Sequence, residues 1–312
     1  MTILVCGSYA YDSIMVFEDK FENHILPDKL HMINVSFLVP KMRKEYGGCA
    51  GNIAYNLKLL GGKAIPMATV GEDFESYFDW LDKCQIDSQA IKVIPGQFTG
   101  QAFITTDQSS NQITAFHPGA MSKSHVNKVL DVDGIKLGIV SPDGRQGMIE
   151  HAEQFVAANI PFMFDPGQGL PMFTKDELKT FISQATWLAF NDYESALIVK
   201  KTGMNLSEIA SQVDAMIITK GGEGSIIYAD DKEYNIPASK IESLQDPTGC
   251  GDAYRAGILF GLQKKFNWKT TGQIASLCGG INIEHLGTQN HSFTKNEFEE
   301  KYSQEFKEDI IL

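Results

Sequence analysis

Asp246-Pro247-Thr248-Gly249-Cys250-Gly251-Asp252 places two glycines and a small cysteine at the start of a segment with helical patterning, and closes on an aspartate. Small residues let a backbone approach a ligand closely. The first N–H groups of a helix have no partner inside it and carry the positive end of its dipole, so such a start attracts phosphate. A carboxylate in the first turn can accept the proton of an attacking hydroxyl while the N–H groups hold phosphoryl oxygens. An ordinary capped helix start carries similar residues, so this loop alone argues for phosphate binding and no more.

Three other places could share that chemistry. Asp12 follows the first apolar run, at the strand end where α/β proteins bind ligands, and a carboxylate can accept from two vicinal hydroxyls. Gly47-Gly48-Cys49-Ala50-Gly51-Asn52 leads into a helical pattern; Asn52 can donate and accept, or simply serve the helix start. Asn191-Asp192-Tyr193-Glu194 stands where a strand passes into a helix, and reads equally well as an N-cap with an acidic first turn.

The elements around these residues alternate. Ile3–Gly7 reads as a buried strand, and Ile33–Val39 as an exposed or half-covered one. Ile53, Leu57 and Leu60 mark one face of a helix ended by Gly61-Gly62. A strand over 64–70 and a helix over about 74–84 follow. Residues 101–106 and 112–116 form a predicted hairpin. Apolar strands then recur at 137–140, 161–164, 187–190 and 215–219, separated by helical patterns near 148–158, 175–184, 193–201 and 206–212. This alternation signals a parallel sheet covered on both faces. A hairpin of 224–228 with 233–236 interrupts it, and two long helices, about 250–265 and 271–286, close the chain. A single domain over 1–312 is expected, with segments of about 13–45 and 97–118 inserted as a small β lid.

Composition bounds the function. The chain has 312 residues, 43% hydrophobic, with a net charge of −12, which argues against a nucleic-acid partner. Its five cysteines form no C-x-x-C pair, which fits neither a disulfide framework nor a zinc site. With no signal-like start and no membrane-length apolar run, a cytoplasmic protein without a membrane partner is expected. Monomer and homodimer both remain open.

The motifs together resemble the ribokinase/PfkB carbohydrate kinase family. Asp246–Asp252 is similar to its D-T-x-G-A-G-D signature, Gly47–Ala54 to its Gly-Gly…Asn run, Asn191–Glu194 to its N-x-x-E, and Thr219-Lys220-Gly221-Gly222 to its nucleotide loop. Pro247 and Cys250, with Ile113–Met121 and Cys6–Asp12, look like its bacterial adenosine kinase or nucleoside kinase branch.

The resemblance implies a ribokinase-like three-layer αβα sandwich with a mostly parallel central sheet and a β lid. It makes Asp252 the general base for the sugar 5′-hydroxyl, and gives the phosphoryl group to the N–H groups of Gly249, Cys250 and Gly251. Asp12, Gly47, Gly48 and Asn52 become sugar contacts. Asn191, Thr219, Gly221, Gly249, Gly251 and Asn282 become ATP contacts. Asn191 and Glu194 would organise Mg²⁺, largely through water, and Asp246 would bind a monovalent cation such as K⁺. Phe103, Phe116, Phe37, Gln101 and Asn111 are candidates for the base pocket, against simple lid packing. The activity expected is ATP-dependent phosphorylation of a nucleoside, adenosine first. The alternatives are a kinase of ribose or a ketohexose and a non-catalytic nucleoside-binding protein. Dinucleotide chemistry has no support, since G-x-G-x-x-G is missing after the first strand.

Overall fold

Strands that are apolar along their whole length need cover on both faces. The computed structural model describes residues 1–32, 34–109 and 111–312, with 28–30 described in the backbone alone. Its first part runs β1 (Thr2–Cys6), β2 (Ala10–Val16), β3 (Lys41–Gly47), α1 (Cys49–Leu59), β4 (Ala64–Val70), α2 (Glu75–Cys84), β5 (Ala90–Val93), β6 (Gly100–Thr106) and β7 (Gln112–His117). Then come β8 (Ile135–Val140), α3 (Arg145–Ala157), β9 (Phe162–Phe164), α4 (Lys175–Gln184), β10 (Trp187–Asn191), α5 (Asp192–Thr202), α6 (Leu206–Ala210) and β11 (Ala215–Thr219). β12 (Ser225–Ala229), β13 (Lys232–Ile236), α7 (Cys250–Lys264), α8 (Trp268–Ile283) and α9 (Lys295–Phe306) complete it.

The large sheet has the order β13-β12-β11-β10-β9-β8-β1-β4-β5. Pairings from β5 to β11 are parallel, and β12 and β13 join antiparallel at one edge. Successive side chains of a strand point to opposite faces. Ile3 and Val5 therefore enter a core shared with residues of α1, α2, α7, α8 and α9, while Leu4 and Cys6 enter one shared with α3, α4, α5 and α6. The result is a ribokinase-like αβα sandwich. Strand order reverses at β1, which has β4 on one side and β8 on the other; the crevice beyond the strand ends at such a reversal receives ligands.

A second, smaller sheet has the order β3-β2-β6-β7. β2 runs antiparallel to β3 and parallel to β6, and β7 hairpins back on β6. Register partners share a face. Asp12 thus shares one with Glu45, Ala102 and Phe116, whereas Tyr11 and Ser13 share the other with Gln101 and Phe103.

Some sequence expectations change. The strand expected over 33–39 does not form: residues 34–39 are irregular and Ile33 lies outside the described residues. The strand is β3 instead, whose Lys41, Arg43, Lys44 and Glu45 hide it because it covers no apolar core. The 224–236 hairpin extends the large sheet rather than interrupting it. The chain closes on α9, not on α8; α9 buries Phe298 and Tyr302 and starts in a capping box of Thr294 and Glu297. No helix among the described residues is long and apolar enough to cross a membrane.

Candidate active site

The site gathers where α1 and α7 begin, beside the end of β1. Gly48 caps α1 at φ +91°, and a Cβ there would lie 2.5 Å from Ser8 O and 2.6 Å from Ala10 N, so only glycine fits. Ala50 N–H donates to Ser8 O at 2.9 Å, and Cys49 N–H to Ser8 Oγ at 3.2 Å, pinning the helix start to the strand end. One turn in, Asn52 Nδ2 donates to Asp252 Oδ2 at 2.8 Å. Two glycine-flanked motifs far apart in sequence thus meet through one hydrogen bond.

Gly249 caps α7 in the left-handed region at φ +80°, pressed on Thr288 so that a Cβ would sit 2.9 Å from Thr288 Cβ. Cys250 N–H turns back on Pro247 O at 3.3 Å, which departs from its expected place as a phosphoryl donor: the turn already uses it, though weakly. Gly251 is exposed, and the thiol of Cys250 is pushed up by burial. Asp252 is half-buried. Burial pushes its carboxyl up to about 6, against the Asn52 hydrogen bond; the Asp165 charge adds to the rise and Arg255 opposes it. A group poised there is a base near neutral pH.

Asp12 lies on β2, opposite Glu45, and a Cβ on Gly47 would come 2.7 Å from its Oδ2. Gly47 therefore makes room for this carboxylate. Burial, with the charges of Glu45 and Asp246, pushes Asp12 up to about 6.

Behind Asp252, Arg255 holds Asp165 by two hydrogen bonds, and its Nη2 lies 4.0 Å from Glu194 Oε2. Sequence reasoning missed both Arg255 and Asp165. Their signals were a charged residue inside an apolar helix and an aspartate ending the apolar Phe162–Phe164 run. Asn191 caps α5: it accepts from Glu194 N–H at 2.7 Å, while its own N–H and Nδ2 donate to Glu194 at 2.8 and 2.9 Å. Thr219 is the register partner of Asn191 on β11, and Gly221 at φ +53° has open space where a Cβ would lie.

Five of the expected residues meet other surroundings in the structure. Asn282 is fully buried on α8 near His291, with no face open to a nucleotide in this conformation. The Asp246 carboxylate accepts from Thr248 N–H, Gly287 N–H and Arg43 Nη2 at 3.0, 3.0 and 3.2 Å, so the Arg43 charge already stands beside it. Gln101 donates to Asp73 Oδ2 at 2.9 Å, on the sheet face opposite Asp12, and Phe103 shares that face. Phe37 packs its ring on Phe17 and Phe21, at 4.8 and 5.0 Å. Phe116 alone among the base-pocket candidates shares the Asp12 face, and it is half exposed.

A model of the pfkB family of carbohydrate kinases matches residues 12–296. The chain belongs to that family. It is a phosphotransferase with a hydroxyl acceptor. A nucleoside kinase of Methanocaldococcus jannaschii is 33% identical over 260 residues, covering 82% of this chain and 85% of its own. The solved nucleoside kinase of Burkholderia thailandensis in complex with inosine is 49% identical, with a TM-score of 0.90, covering 98% of this chain and 99% of its own. A ribokinase of Thermotoga maritima, 19% identical with a TM-score of 0.80, covers 96% of this chain and 98% of its own, and shares the fold. Within the pfkB family such an arrangement suits phosphoryl transfer, which is chiefly positioning and charge stabilisation.

Proposed function

We propose that this pfkB kinase is an ATP-dependent nucleoside 5′-kinase with adenosine as its first substrate. One observation carries the reading: Asp252, at the start of α7, is fixed by Asn52 from the start of α1, on which Gly48 and the Asp12 strand converge. The nucleoside kinases of M. jannaschii and B. thailandensis support the nucleoside class, and the inosine complex of the latter makes inosine the comparison substrate.

Asp12 accepts from the ribose 2′- and 3′-hydroxyls, and Phe116 on the same face meets the base. The 5′-hydroxyl oxygen bonds to the γ-phosphorus as the bond from that phosphorus to ADP breaks. The hydroxyl proton passes to Asp252. The N–H groups opening α7, with Gly251 foremost, hold the phosphoryl oxygens. Thr219 and Gly221 line the nucleotide side. We read residues of about 13–45 and 97–118 as a lid on a single domain, excluding water from the acceptor.

Among the described residues no group of three or more His, Cys, Asp or Glu is set to hold a metal. Both Glu194 oxygens already accept from Asn191, so Asn191 and Glu194 fit Mg²⁺ only through water. Bound with ATP, Mg²⁺ would neutralise phosphate oxygens. A K⁺ at Asp246 would share its carboxylate with the donors of Thr248, Gly287 and Arg43.

The test is ADP release over adenosine, inosine, guanosine, cytidine, ribose and fructose, with the product identified as a 5′-monophosphate. Adenosine is expected to lead. Better turnover of ribose or fructose than of any nucleoside would overturn the nucleoside reading.

A further inference from the structure

Trp80 Nε1 donates to Gln289 Oε1 at 2.8 Å. Gln289 Nε2 donates to Asn52 Oδ1 at 2.9 Å and to Tyr77 Oη at 2.7 Å. Asn52 Nδ2 then reaches Asp252 Oδ2, and Tyr77 Oη donates to Gly47 O at 3.0 Å. The chain is dry: Gln289, Asn52 and Tyr77 are 2%, 4% and 0% exposed. Gly51 lets it pass, since a Cβ there would come 2.4 Å from Tyr77 Oη and 3.1 Å from Gln289 Nε2.

These bonds have a compulsory direction. An indole N–H only donates, so the oxygen of Gln289 must face Trp80. Its nitrogen must then face Asn52, whose oxygen turns toward Gln289 and whose nitrogen turns toward Asp252. At the far end a carboxylate only accepts, so both ends of the chain demand the same orientation of both amides. Reversing either amide would set oxygen against oxygen in a buried place.

We infer that Gln289, held by Trp80, is a positioning residue for phosphoryl transfer, acting through Asn52 to aim the Asp252 carboxylate. The inference rests on the reading of Asp252 as the base. The N–H on Oδ2 fixes the rotation of the carboxylate and so sets where its remaining lone pairs point. In this conformation Asn52 donates to Asp252 and accepts from Gln289, which leaves its second Nδ2 proton for a sugar hydroxyl. Neither Trp80 nor Gln289 needs to touch a substrate for this role.

The test is a double-mutant cycle in steady-state kinetics, with melting curves to verify folding. Trp80→Phe keeps an aromatic ring beside Tyr46, where the indole stacks at 5.3 Å, but removes the N–H donor with part of the indole's volume, which the melting curves register separately. Gln289→Met keeps volume and removes the relay. Gln289→Met is expected to lower kcat about 30-fold and Trp80→Phe about fivefold, within the range that base positioning can supply, each with KM for ATP unchanged. The double variant is expected to be no slower than Gln289→Met, because the indole N–H acts only through that amide. Unchanged kcat in Trp80→Phe, or multiplied losses in the double variant, would overturn the relay. Asp252→Asn is run alongside. If it keeps normal turnover, the base reading fails; if it is inactive while Trp80→Phe is normal, the relay fails and the base stands.

Discussion

Arg255 grips Asp165 with a fork, Nε to Oδ2 at 3.1 Å and Nη2 to Oδ1 at 3.2 Å, and both side chains are about 95% buried. This ties α7, which carries Asp252, to the end of β9. Removing one partner leaves the other charge buried without its counterpart. Arg255→Met is expected to lower stability by about 3–5 kcal/mol, read as an earlier urea midpoint with an unchanged slope. The pair Arg255→Gln with Asp165→Asn keeps a neutral fork and is expected to recover much of that loss.

Asp252→Asn separates activity from stability. Loss of the base is expected to lower kcat about 10²- to 10⁴-fold. Stability should move the other way. The folded carboxyl sits at about 6, above the ordinary range, because burial disfavours its charge. Its contribution is therefore fully present below the unfolded pKa of about 3.9 and lost as pH rises through about 6. At pH 7.5 the asparagine variant is expected to melt higher than the parent, with the difference closing toward pH 4. Calorimetry across that range checks the sign. The parent's kcat is expected to fall below about pH 6, as Asp252 takes up its proton.

Asp12 and Gly47 should behave as one unit. Asp12→Ala removes an acceptor for charged hydrogen bonds and is expected to raise KM for the nucleoside about 10- to 100-fold, leaving KM for ATP unchanged. Gly47→Ala adds a carbon 2.7 Å from the same carboxylate and should give the same signature with Asp12 still present. Deoxyribonucleosides provide the cross-check: the Asp12→Ala penalty should shrink on them.

The small sheet predicts a contrast between two phenylalanines. Phe116→Ala is expected to raise KM for purine nucleosides several-fold, as loss of a stacking face would. Phe103→Ser, on the opposite face, should leave both KM values unchanged and yield at least as much soluble protein. Equal effects of the two would refute the assignment of faces.

The large sheet was legible because its strands are buried on both sides and so stand out as apolar runs between helical patterns. α7 was legible from its loop and α5 from its Asn191–Glu194 cap. The small sheet was harder. β3 is a run of charges with a solvent-facing side, and β2 lacks alternation because Tyr11 packs on α2 through Ser76 while Asp12 faces the site. α9 left a readable signal, Thr294 followed by Glu297, that a search for long apolar patterns passes over. Of the site, the motifs were visible and the partners were not. Trp80, Asp165, Arg255 and Gln289 matter through contacts made only after folding, and nothing in their local sequence announces the neighbour each will have. Asn282, placed with the nucleotide by the family resemblance, is buried on α8 beside His291, which its local sequence does not show.

The pairing of β2 with β6 has a consequence for how the chain is made. Ala10 is partnered by Gly100 and Val16 by Thr106, in parallel register. At the ribosome the strand bearing Asp12 emerges early, finds β3 as an antiparallel neighbour, and then waits with its other edge open until residue 106 has been synthesised. Contacts between such distant segments are slow to form. The strand bearing Asp12 therefore cannot be paired on both edges before β6 is made, and a nascent chain stalled before β6 would present an unpaired edge to chaperones or to a second copy of itself.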